Sequence, residues 1–469
     1  MNRKYIIIIM LASVFCSVAG CKKYLQVQPT GAYTEVQVFS NKTAAQQALN
    51  GLYIDLASND LYGAALTQTY IELMAQRYRG LVDGVNFYEQ YQQNNYNAAQ
   101  AQEVFNTIWK SAYQTIMSAN LFLDKIEISI KNHVVSEEQG QLMKGEALSV
   151  RALLHFDMMR LFGPVYSLGQ NQPAVPYYTV ADGKTQPILT SAEVVAKILE
   201  DLNAAESMLA DDVIIKSGII NEPDFYTGHR NQRMNYFAVK ALKARVYLWA
   251  NKTTEAHDAA LATLNQGEQW FPWLPFKSIV TASTPDRIFS TELLFALYNR
   301  NLYKNYAAFF SPSLTETYLL APDPANLRNT FEGNENDWRY PTTWRQTTKS
   351  YRTFFKYEDI SLSQPWGFLQ PMIRKSELYY ILAETEPDAA IARSYLDSVY
   401  SHRGLPALAV NASVPAELLK EYGREFYGEG QLFFYYKRTN TPFIPDAMTN
   451  TPRAPVYVVP LPLSETTPR

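Results

Sequence analysis

The chain has 469 residues, a formal charge of −3, two cysteines and an aromatic content of 13% that includes 33 tyrosines. A chain this long buries a core large enough to hold itself together, so no disulfide framework is needed. The near-balanced, slightly acidic charge has no basic run, which excludes nucleic acid as an expected partner.

Residues 1–20 read as an export signal. "MNRK" supplies two positive charges, and the apolar run that follows, Tyr5 to about Phe15, is shorter than the roughly 20 residues a membrane span takes. "SVAG" then offers small residues directly before Cys21. The arrangement resembles the lipobox of bacterial lipoproteins, with Val18 where leucine is commoner. That resemblance implies cleavage before Cys21, acylation of its thiol and of the new amino terminus, and loss of Cys16 with the signal. More than one acyl chain gives stable anchoring. Residues 21–42 are then a lipidated terminus and an extended tether, since 22–40 shows no helical period and carries Pro29 and Gly31.

From residue 43 to 469 a single helical body is expected. Apolar spacing near 3.6 predicts helices over 43–57, 65–78, 101–126, 136–162, 191–210, 234–251, 254–267, 371–385, 388–403 and 414–427. Strand-like runs are few: "ELLFALY" (292–298) and "VYVVPLP" (456–462). Two helix pairs have short links, 234–251 with 254–267 and 371–385 with 388–403. Ala238, Ala241 and Ala244 allow close helix approach, a pattern that resembles tetratricopeptide (TPR) repeats without their strict period. The long irregular stretches at 79–99, 163–189, 212–232 and 299–370 are where function is expected to lie.

"GEALSVRALLHFDMMRLFGPV" (145–165) resembles the signature helix of the SusD/RagB family through Gly145, Glu146, Ala147, Arg151, Ala152, Phe156, Phe162 and Gly163. "ALKARVYLWANK" (241–252) resembles that family's second helix, and "IRKSELYYILAET" (373–385) its third, through Arg374, Glu377, Tyr380, Ala383 and Glu384. "LDSVYSHRG", "EYGREFYGEGQLFFYYKR" and "VYVVPLPLSE" are similar to the closing elements, in the right order. Two departures stand out: "FFYYKR" lacks the Asp that usually precedes Lys-Arg, and Lys22 and Lys23 follow Cys21 without acidic residues.

The resemblance implies an all-α body, a right-handed scaffold of TPR-like helical pairs with loops that present a ligand surface. It implies a lipoprotein on the outer face of the outer membrane, acting as a lid over a SusC-like TonB-dependent transporter and delivering oligosaccharide, or peptide, to it. A TPR-like outer-membrane scaffold without a nutrient ligand is the alternative. The lid is expected to be no enzyme and to use no cofactor, and no metal ligands are assigned, a structural calcium being unreadable from a sequence without an EF-hand pattern. The five histidines lack metal-ligand spacing, and neither a His-Glu-x-x-His nor a Gly-x-Ser-x-Gly motif occurs. Glu417, Glu421 and Glu425 recur every four residues, interleaved with Lys420 and Arg424, which reads as a solvated helix face with ion pairs. Glu146 and Arg151, on an apolar helix, are expected to satisfy buried backbone or each other.

Ligand contacts are therefore expected from the loops. Tyr88 and Tyr91 would stack on a ring, Asp83 and Asn86 would hydrogen-bond, and Trp338, Trp344 and Trp366 form a second aromatic group.

Overall fold

The structure, a computed structural model, describes residues 35–79, 88–360, 364–447 and 451–466. Cys21 and most of the expected tether lie outside the described residues. The tether's last part is not extended: α1 (Glu35–Phe39) is a short helix. Phe39 is buried, its ring 5.8 Å from that of Phe122, and the Ser129 hydroxyl donates to its carbonyl at 2.5 Å. An apolar ring at the end of the tether gains more by burial than an extended chain would.

The main helices follow the apolar spacing and carry start signals. α2 (Lys42–Leu56) begins where the Asn41 side chain accepts the Ala44 N–H. After α3 (Ala99–Lys131), α4 (Glu137–Phe162) opens with a reciprocal cap between Ser136 and Gln139. α5 (Ser191–Met208) repeats the device with Thr190 and Glu193. α6 (Tyr236–Trp249), α7 (Thr253–Gly267) and α8 (Leu302–Phe309) follow. α9 (Lys375–Thr385), α10 (Ala389–Ser401), α11 (Val414–Glu425) and α12 (Leu432–Arg438) close the chain.

These helices pack serially: α2 on α3, α3 on α4, α4 on α5, α5 on α6, α6 on α7, α7 on α9 and α9 on α10. The body is the expected all-α, TPR-like stack of helical pairs, in which each element covers the apolar face of its neighbour. Ala238, Ala241 and Ala244 are all buried, as a close helix approach requires. α7 meets α9 although residues 268–374 intervene, so this insertion leaves the stack and returns to it.

Strands are short and paired in twos. β1 (Pro173–Pro176) pairs with β2 (Ile188–Thr190). β3 (Leu293–Tyr298) is the expected apolar strand, and β4 (Trp344–Gln346) pairs with β5 (Arg352–Phe354). The partner of β3 is β6 (Leu369–Arg374), antiparallel, with Ala296 opposite Pro371. That ladder removes 371–374 from the helix expected to begin there. Residues 371–374 are held extended by their pairing with β3, so the helix starts only at Lys375. The expected strand at 456–462 joins no ladder among the described residues; instead Val459 N–H donates to the Leu161 carbonyl at 3.3 Å. The helix expected over 65–78 forms only at Tyr70–Met74. Side chains of the preceding loop capture its own carbonyls, as Thr67 does with Tyr62 and Gln68 with Gly63, and compete with a helical ladder.

The acidic face of α11 is not solvated. Glu421 and Glu425 are buried, and Arg339 reaches both of them, at 2.9 and 2.8 Å. Arg374 and Arg403 each approach Glu425 at 2.6 Å. Only Glu417 keeps a half-exposed place, paired with Lys420 at 2.9 Å. The guanidinium groups come from distant elements that turn the face inward, which helical spacing alone does not reveal. The signature-helix charges do not pair with each other either. Glu146 takes Arg230 and Arg233 at 2.5 and 2.8 Å, and Arg151 takes Asp201 at 2.6 Å.

Candidate functional site

The loop over residues 57–69 links α2 to the one-turn helix at Tyr70 and is held in one shape from several directions. Gly63 is required there, because a Cβ would stand 2.3 Å from the Ala57 carbonyl oxygen. Side-chain amides of Gln68, Asn299 and Asn305 all donate to the Gly63 carbonyl, at 3.0, 3.2 and 2.8 Å. Gln68 also donates to Gln370 on β6 at 2.7 Å, and Asn305 on α8 to the Asn59 side chain at 2.9 Å. On the far side, Gly430 has φ +70°, and a Cβ there would lie 2.0 Å from the Leu66 carbonyl. Its N–H donates to Glu72 at 2.9 Å.

Between this loop, α3 and the end of α8 lies a cleft of about 470 Å³. Tyr70, Tyr88, Tyr91 and Phe309 form its aromatic wall, and Asp60 and Glu103 stand on its rim. The Tyr70 and Tyr91 rings lie 4.6 Å apart, and Tyr91 meets Phe105 edge-on at 6.0 Å while its hydroxyl donates to the Gln100 carbonyl. Burial, then the charge of Asp60, raises the Tyr70 phenol. Burial and the neighbouring Tyr70 raise those of Tyr88 and Tyr91. All three therefore stay protonated at neutral pH and keep a donor as well as an acceptor. Among the described lining residues there are two carboxylates and no Lys, Arg or His. Flat aromatic faces beside hydrogen-bonding groups suit a sugar ring, and the sign of the charge disfavours an anionic ligand.

The expected site residues divide. Tyr88 and Tyr91 come together at this cleft, but at 8% and 2% exposure their rings are its packed backing, and Tyr70 is the tyrosine that presents an open face. Asp83 and Asn86 lie outside the described residues. Trp344 is only 1% exposed, packed 4.6 Å from Tyr427 and 5.0 Å from Phe354, so its ring belongs to the core and not to a ligand surface. Trp338 is half-buried against Phe276 and caps a small separate cluster of Leu274, Ile279 and Phe289. Trp366 is half-buried beside Ile288, Leu302 and Leu369. None of the three tryptophans lines the cleft. Asp60, Tyr70, Glu103 and Phe309 were not anticipated. "SND" before Leu61 is a turn signal that marks Asn59 and Asp60, whereas nothing local marks Phe309 on a helix more than two hundred residues away. No group of His, Cys, Asp and Glu suited to a metal occurs among the described residues, and no described helix is long and apolar enough to cross a membrane.

A family model described as SusD-like, "Starch-binding associating with outer membrane", matches residues 23–248. The chain is 24% identical over 210 residues to SusD-like protein P25 of Formosa agariphila, covering 43% of this chain and 38% of that protein. It is 24% identical over 259 residues to a SusD-like protein of Bacteroides ovatus, covering 54% and 41%. The matches thus span about two fifths of the length of these curated relatives. Among solved structures, a SusD superfamily protein of Bacteroides thetaiotaomicron superposes with a TM-score of 0.72 at 20% identity, over 91% of this chain and 97% of the other. A laminarin-binding SusD-like protein gives 0.66 at 21% identity, over 91% and 97%. These similarities extend the fold match over nearly the whole chain.

Proposed function

The chain belongs to the SusD/RagB family, and from that premise we propose that it captures a neutral oligosaccharide in the cleft of Tyr70, Tyr88 and Tyr91 and passes it to a SusC-like TonB-dependent transporter. The observation that carries this reading is the aromatic wall beside Asp60 and Glu103, without a cation among the described lining residues. The half-buried Tyr70 ring, backed by Tyr88 and Tyr91, receives the apolar face of a sugar ring, and the rim carboxylates accept from its hydroxyls. The laminarin-binding structural neighbour and the starch-binding description of the family model support a neutral glucan as the first ligand to try.

The role is binding without turnover. The acidic pair that helical spacing brings together, Glu421 and Glu425, is engaged by Arg339, Arg374 and Arg403 and is closed to a substrate. Lipidation at Cys21 would hold the body at the outer membrane, facing the cell exterior, beside its transporter. Sharing one membrane raises the effective concentration of each for the other.

The test is titration calorimetry of the mature protein against neutral glucans, uronic-acid glycans and mixed peptides. Saturable binding of a neutral glucan that weakens in Tyr70→Ala is the expected result. Binding of peptide alone transfers the cleft to another ligand class. Silence from folded protein against every panel, together with a stable complex with the transporter, would favour the scaffold reading.

A further inference from the structure

A second cavity, of about 560 Å³, lies on the opposite flank of α3 from the cleft. Trp109, Tyr113 and Tyr178 supply its aromatic surface, and Lys110 and Gln114 are exposed at its edge. The Trp109 and Tyr113 rings are 4.5 Å apart, and Tyr178 meets Tyr113 edge-on at 5.6 Å. Tyr113 is fixed by donating to the Pro176 carbonyl at 3.0 Å, and Trp109 by its edge-on contact with Phe162 at 4.9 Å. The C-terminal turn at Leu463–Thr466 forms the far wall.

The two cavities are not isolated from each other. A shallow hollow on the crest of α3 is lined by Glu103 and Thr107, which also line the cleft, and by Asn106 and Lys110, which also line the second cavity. On a helix, residues 103, 107, 110 and 114 stand one above another, so the crest is one stripe. Its described side chains are mostly polar: Glu103, Asn106, Lys110 and Gln114 are exposed and Thr107 is half-exposed. From cleft to second cavity the route crosses one helix diameter and about two turns, on the order of 20 Å. A disaccharide does not reach that far.

We propose that the second cavity is a further carbohydrate subsite, and that one neutral oligosaccharide crosses the α3 crest and occupies both cavities together. The inference rests on the oligosaccharide reading of the cleft. What selects this occupant is continuity: the hollows share their rim residues, and both ends of the track offer tyrosine or tryptophan faces flanked by hydrogen-bonding groups. Once one end of a chain is held, the other end meets its subsite at high effective concentration, and affinity rises without a change in either subsite. The protein thereby selects for chain length as well as for ring chemistry.

The experiment is calorimetry on the mature protein with maltose-series and laminarin-series oligomers of about two and about six rings. It uses the native chain and a Lys110→Ala/Gln114→Ala double variant, in which both altered side chains are exposed and the fold is left intact. The expected result is that the six-ring oligomer binds the native protein about tenfold tighter than the two-ring one. The double variant should then lower six-ring affinity about fivefold and leave two-ring affinity within twofold, in line with the loss of two hydrogen-bonding groups. Equal affinity for both lengths in the native protein, with the two-ring oligomer still binding, overturns the track and leaves the cleft reading standing. An equal loss for both lengths in the variant overturns it as well. Absence of binding at both lengths removes the cleft reading and the track with it.

Discussion

Arg403 grips Glu425 with two nitrogens, Nη2 to Oε1 at 2.6 Å and Nε to Oε2 at 3.0 Å, and both side chains are shut off from water. The same guanidinium reaches Glu292 at 2.6 and 3.1 Å. Burial would raise the Glu425 carboxyl, but Arg374 and Arg403 outweigh it and hold the group well below its ordinary value of 4.5. Its contribution is therefore present above the unfolded value and is lost as pH falls through the folded one. Glu425→Ala leaves several guanidinium groups without their carboxylate and is expected to cost about 3–5 kcal/mol, read as a lowered urea midpoint. A native protein whose urea midpoint barely moves in this variant would contradict the account.

Glu72 behaves in the opposite sense. Burial pushes its carboxyl up to about 7, against the pull of Arg77 and the Gly430 N–H. The folded protein then holds a proton that the unfolded chain releases, so stability falls as pH rises from about 4.5 to about 7. Glu72→Gln keeps the acceptor for Gly430 and should flatten that part of the profile, gaining on the order of 2–3 kcal/mol at pH 8 relative to pH 4.5. Thermal unfolding at closely spaced pH values measures it.

Trp344 and Tyr70 should separate stability from recognition. Trp344→Ala empties a fully buried volume between Phe354 and Tyr427 and is expected to cost about 3–5 kcal/mol, with affinity per folded molecule unchanged. Tyr70→Ala removes a half-buried ring from the cleft wall and should lower glycan affinity about tenfold with a small shift in melting temperature. Calorimetry and thermal unfolding on both variants distinguish the two roles, and a Trp344 variant that stays stable but fails to bind would reverse them.

Lys437 has no carboxylate beside it among the described residues. Its Nζ donates to the carbonyls of Leu161 and Gly163, at 3.2 and 2.7 Å, at the end of α4. Burial, assisted by Arg160, pushes the amine well below 10.5. The unfolded chain then binds more protons between the folded value and 10.5, so stability rises with pH across that window. Lys437→Met should abolish the rise and cost about 1–3 kcal/mol at the alkaline end, where the carbonyls lose a donor and no charge penalty is relieved. Denaturant titrations of both proteins at neutral pH and near pH 10 give the comparison.

The helical body was readable because its evidence is local. Apolar spacing and the Ser136 and Thr190 caps lie within a few residues of the elements they start, and the short links between α6 and α7 and between α9 and α10 announce the pairing. What escaped notice depends on distant partners. Glu421 and Glu425 look solvated until Arg339, Arg374 and Arg403 arrive from other elements. Trp344 looks like a loop residue until Tyr427 closes over it. In the cleft, Tyr88 and Tyr91 stood out by composition, whereas Phe309 is supplied by an excursion of the chain that carries no mark of its destination. Over 371–374 a helix and a buried strand share one apolar run, and β3 decides between them.

The clamps on the 57–69 loop have a further consequence. Asn299, Asn305, Gln370 and Gly430, which hold its carbonyls and its close approach, all come from the second half of the chain. A fragment ending at residue 248, where the family match stops, would retain Tyr70, Tyr88, Tyr91 and both rim carboxylates, yet would inherit no rigid recess in which to place them. The proposed recognition face is therefore not a portable module: cutting, permuting or shortening the C-terminal half is expected to collapse a cleft whose own residues it leaves almost untouched.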